Sequence, residues 1–113
     1  MTYARLLALA LALAFAVPAA PAAAAPAVKA ACARELAVTE TSLLKTVVRM
    51  QSVTKASPSE QCETYRAHAA VVTKARDVFE RCSTGATRDQ DIGDMDGALD
   101  RVKTAIASAC TTQ

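Results

Sequence analysis

The chain has 113 residues, 13 Lys and Arg against 11 Asp and Glu, one His, four Cys and no Trp. A balance of +2 without a basic stripe excludes the electrostatic footprint of a nucleic-acid binder. The residues after Ala24 hold only Tyr65 and Phe79 as aromatics, a poor platform for stacking bases.

Residues 1–24 read as a secretory signal peptide. Arg5 marks a short n-region, Leu6 to Val17 form an apolar run, and small residues follow, with cleavage after Ala24. Pro18 and Pro21 interrupt the run before the roughly 20 apolar residues that a membrane span needs, so no span is expected after cleavage. About 89 residues then remain, enough for one small domain that gains from covalent staples. Residues 25–29 continue an Ala/Pro-rich stretch and are expected as a loose terminus, with the domain proper at 30–113.

A first helix is predicted from about Ala30 to Val53. Leu36, Leu43, Val47 and Met50 recur at helical spacing, and Leu44 and Val48 widen the stripe. Ser57-Pro58-Ser59-Glu60 then fits a capping box, with Ser57 as N-cap, Pro58 in the first position and Glu60 reaching back. The second helix runs to about Arg81, with Cys62, Tyr65, Ala69, Val72 and Phe79 on one side and Arg76 as its polar step. Gly85 is a candidate C-terminal cap, and Thr87 with Gln90 a second capping box. A third helix follows to about Ala109, where Ile92, Met95, Leu99, Val102, Ile106 and Ala109 form the clearest seam in the chain. Short loops make neighbouring helices antiparallel, so the expected fold is all-α, an antiparallel three-helix bundle.

The cysteines follow from that frame. Four cysteines allow three pairings. Cys62 and Cys82 are 20 residues apart on one helix, about 30 Å, far beyond disulfide reach. Cys32 and Cys62 lie near the starts of consecutive antiparallel helices, at opposite ends of the bundle. Cys32–Cys82 and Cys62–Cys110 remain, one staple at each end, each closing a loop of about 50 residues. A zinc site would use closely spaced pairs, whereas the gaps here are 29, 19 and 27 residues. A thioredoxin-like redox role would need a C-x-x-C, and there is none.

The local oddity is an acidic cluster, Asp89, Asp91, Asp94, Asp96 and Asp100. Asp94-Met95-Asp96-Gly97 resembles part of a calcium loop. With Gly97 at the sixth position, an EF-hand would need acids where Ile92 and Lys103 stand. A helix start favoured by negative charge explains the cluster more simply, with Arg76 and Arg81 near the levels of Asp96 and Asp91, and Arg34 close in height. Weak cation binding by these aspartates is the alternative. Gly93 and Gly97 cost a helix interior about 1 kcal/mol each relative to Ala. They mark either close backbone packing or an opening start to the third helix, which makes this the candidate mobile segment.

His68 sits beside the buried seam as a boundary residue. No nucleophile motif accompanies it, and no cofactor motif is present, so no enzymatic role is expected. A small periplasmic enzyme is the third and weakest alternative.

Gln61-Cys62-Glu63-Thr64-Tyr65-Arg66-Ala67-His68, followed by Phe79-Glu80-Arg81-Cys82, resembles short exported four-cysteine helical proteins of Gram-negative bacteria, most of them hypothetical. The resemblance implies a periplasmic or secreted helical domain and no activity. The expectation is therefore an exported, non-enzymatic interaction module of the cell envelope. Its partner is expected to be a protein of the envelope or exterior, with no oligomeric state specified by the sequence.

Overall fold

A computed structural model describes residues 25–111 and the side chains from Lys29 onward. The signal-peptide reading of 1–24 lies outside the described residues. Three helices follow in order: α1 at Ala25–Ser52, α2 at Pro58–Cys82 and α3 at Gly85–Cys110. α2 is the hub. It packs against α1 on one side and α3 on the other, while α1 and α3 do not pack on each other.

The helix boundaries show which local signals acted. Residues 25–29, expected as a loose terminus, belong to the first turns of α1. The Pro26 nitrogen falls in the first turn, where a backbone N–H has no intrahelical acceptor, so the proline does not delay the helix. Ser57 caps α2 as expected: it is extended at φ −60° and ψ 153°, and its hydroxyl accepts from the Glu60 amide at 3.2 Å. The Glu60 carboxylate does not close the other half of the box. It pairs with Arg49 of α1 at 3.4 Å. Gln61 secures the same corner by donating from Nε2 to the carbonyls of Val53 and Thr54, both at 3.1 Å, which supplies partners for orphaned carbonyls at the end of α1.

At the second corner, Gly85 is not a terminal cap of α2. It opens α3 at φ +61°, a left-handed conformation that favours glycine. The Thr87 capping box does not form, because α3 starts at Gly85 with Thr84 as N-cap. Arg88 holds this corner instead. Its amide donates to the Thr84 carbonyl at 3.2 Å and its Nε to the Glu80 carbonyl at 2.9 Å.

The core is a narrow strip along α2. Val53, Cys62, Val72, Ala75, Phe79, Val102 and Ala109 are its buried apolar members. Such a strip buries little apolar area for a chain this size, so the disulfides carry much of the fold. Cys32 bonds to Cys82 and Cys62 to Cys110, with Cα separations of 5.2 and 5.1 Å. Each is worth on the order of 4 kcal/mol in the chain-entropy account, and because the loops interleave the two values do not add. Both connections match the pairing deduced from helix heights. Disulfides of this kind persist in oxidising compartments. Among the described residues, no helix is long and apolar enough to cross a membrane.

Candidate functional site

His68 of α2 bonds to α1 through Thr46, and Arg76 of α2 bonds to α3 through Asp96. α1 and α3 flank α2 without packing on each other, and a trough lies between them. Its volume is about 410 Å³, with Val72 and His68 on α2 as its floor. Leu43, Val47 and Met50 form the α1 wall, and Met95, Ala98, Arg101 and Val102 stand on the α3 side.

His68 is the polar feature of that floor. The sequence placed it at a boundary, yet it is only 5% exposed. Its Nδ1 lies 2.8 Å from the Thr46 hydroxyl oxygen. The Thr46 hydroxyl also lies 3.0 Å from the Leu43 carbonyl oxygen, so it links the ring to the backbone of α1. Burial pushes the His68 pKa down, which keeps the ring neutral over a wider pH range.

A second groove, of about 500 Å³, runs between α1 and α2 on the side away from α3. Val38, Val71 and Val78 line it, with Arg34 and Lys74 at its edges. Glu35 belongs to its wall but is already engaged. Arg81 donates to its carboxylate at 2.8 Å and holds its pKa below the usual carboxylate value. The sequence had set Arg81 near Asp91. It turns instead to α1, and Asp91 accepts from the Ser83 hydroxyl at 3.1 Å.

α1 carries the exposed large apolar side chains: Val38 in that groove, Val47 on the trough wall, and Leu44 and Val48 outside both. Val38, Leu44 and Val48 are 66%, 65% and 55% exposed, and Val47 is 37% exposed. Leu44 and Val48, expected to widen a buried stripe, lie outside it because, among the described residues, α1 packs on α2 alone. By contrast, Ile92, Met95, Leu99, Val102 and Ile106 of α3 are all half-buried or buried.

The aspartates are not gathered. Asp96 accepts from Arg76 Nε at 2.6 Å, as its height suggested, and Asp89 lies 3.9 Å from Arg88. Asp94 and Asp100 are exposed and have no ion pair among the described residues. Among the described residues, no three carboxylate, thiolate or imidazole groups converge as metal ligands would. All four cysteines are consumed in the disulfides. Sequence reading missed the trough and Arg101. The signal was present in part, since the 200° between Cys62 and Cys82 already sends the two staples to different sides of α2.

No family model, curated protein or solved structure matches this chain.

Proposed function

We propose that this chain is an exported, non-enzymatic interaction module that meets a protein partner of the cell envelope or exterior through the outer face of α1. The observation that carries the reading is the exposure of Leu44 and Val48 side by side on that face, with Val47 at the edge of the trough and Val38 in the α1–α2 groove beside them. Scattered single apolar residues need no explanation, but a grouped set on one element marks a contact surface. Leu44, Val47 and Val48 adjoin one another at i, i+3 and i+4.

The chemistry of the interior supports a binding role over a catalytic one. The thiols are bonded in pairs. Among the described residues, His68 is bonded to a threonine hydroxyl and to no carboxylate or thiol. The disulfides would let so small a core persist outside the cytoplasm.

A photo-crosslinking residue placed at Val48 tests the reading in the native envelope, with one at the exposed Lys103 of α3 as reference. The expected result is a discrete protein adduct from Val48 that is absent from Lys103 and abolished by Leu44→Asp. Identical adduct patterns from both positions would remove α1 as the contact surface.

A further inference from the structure

We infer that the solvent face of α1 is a self-association surface, on which a second copy of this chain packs in parallel through Leu44 and Val48 and forms reciprocal Glu40–Lys45 ion pairs. The inference rests on the protein-contact reading of α1 and names the partner.

The direction of the face follows from what α1 gives to α2. Cys32 and Thr46 are bonded to α2, and Thr39 between them is 8% exposed. These three recur at seven-residue intervals, so one line of α1 is committed to α2. The opposite line runs through Ala37, Thr41, Leu44 and Val48, at steps of four, three and four, and all four are exposed. That is the spacing of the a and d positions in a two-helix seam. Ala37 is small enough to let a second backbone approach. The Thr41 hydroxyl donates to the Ala37 carbonyl at 3.0 Å, so it is satisfied within the helix and asks nothing of a partner.

The edges of the face select the occupant. Around an ideal helix, Lys45 lies about 70° to one side of the seam and Glu40 about 70° to the other. Both are exposed, and neither has an ion pair or a side-chain hydrogen bond among the described residues. With Thr41 at an a position, Glu40 is the preceding g and Lys45 the following e. In two parallel helices, a g residue faces the e residue five further along the partner, and these residues are five apart. A two-fold axis along the seam then forms the pair twice, Glu40 with the partner's Lys45 and Lys45 with the partner's Glu40. An antiparallel pair would set the Lys45 edges of the two chains against each other instead. The charges of this chain thus complement a parallel second copy of itself.

Nothing else in the fold stands in the way. Among the described residues α1 packs on α2 alone, and the seam is on the opposite side of α1. The body of each chain therefore lies away from the contact. With two large apolar residues per chain in the seam, the dimer is a weak, concentration-dependent one.

The test is sedimentation equilibrium of the full disulfide-bonded protein at concentrations reaching millimolar. The wild-type chain is expected to self-associate. Glu40→Lys and Lys45→Glu should each weaken this by about tenfold, because each replaces two attractive pairs by two repulsive ones. Mixing the two variants should restore association, and so should combining both changes in one chain. Leu44→Asp should leave a monomer. A wild-type chain that stays monomeric would overturn the inference. So would charge variants that associate as the wild type does, or a mixture no better than its parts. Photo-crosslinking from Val48 separates this failure from that of the contact reading. An adduct of twice the chain mass is expected. A discrete adduct with a different protein would overturn the second copy as partner and leave the contact reading standing.

Discussion

α1 and α3 are similar in length and both rest on α2, yet they present themselves differently to solvent. The large apolar residues of α3 step by three and four and stay in one stripe, and α2 covers that stripe. Those of α1 spread around more than half of the helix, and one neighbour covers only part of them. The polar contacts differ as well. α3 is tied to α2 by the Arg76–Asp96 pair, on the surface. α1 is tied by the same kind of surface pair, Arg81–Glu35, and also by the buried Thr46–His68 bond. The comparison teaches that a narrow seam is matched by one packed neighbour, whereas a broad apolar surface with one packed neighbour leaves part of itself in solvent.

The sharpest way to break the difference is to release each helix in turn. Replacing Cys32 and Cys82 by Ala should cost about 2–5 kcal/mol in denaturant unfolding, and so should replacing Cys62 and Cys110. Hydrogen exchange should then separate the two variants, with protection lost first in the N-terminal half of α1 in one and in the C-terminal half of α3 in the other. Val72→Ala removes a fully buried side chain at the floor between both helices. It should cost about 2 kcal/mol and be read in the unfolding midpoint.

The buried imidazole makes the α1 contact sensitive to pH. His68 has a lowered folded-state pKa, so the native state resists its protonation while the unfolded chain accepts a proton near the ordinary value of 6.5. The contribution of a neutral His68 is therefore complete above that pH. It is lost as the pH falls from there toward the folded-state value. Thermal unfolding should show this decline, and His68→Gln should remove it.

Two smaller effects sharpen the comparison. A methyl group at Gly93 would meet no atom within 4 Å, so Gly93→Ala should stabilise α3 by about 0.5–1 kcal/mol. Leu44→Asp, which tests the contact surface, should shift stability by no more than about 0.5 kcal/mol because Leu44 is already in solvent. A larger loss would show that the outer face of α1 supports the fold and would remove it from function.

The candidate surfaces were legible in the sequence to different degrees. The apolar excess on α1 was visible as Leu44 and Val48 beside the main stripe, but its assignment to the core assumed neighbours on two sides. The aspartates were conspicuous in sequence and unremarkable in space, since a helix spreads consecutive charges around its circumference. The trough gave little signal, because a gap belongs to no residue.

Helix content and disulfide pairing were determined by the sequence alone. Both depend on distances along a helix, where a fixed rise per residue turns spacing into height. Cys32 with Cys82, and Cys62 with Cys110, follow from heights that no loop detail alters. The tertiary structure decided the angle at which α1 and α3 are set about α2, the depth of His68 and the choice of Glu35 by Arg81. Those are azimuthal facts. They arise from how side chains of different size share the surface of α2, and spacing along the chain carries height far more faithfully than direction.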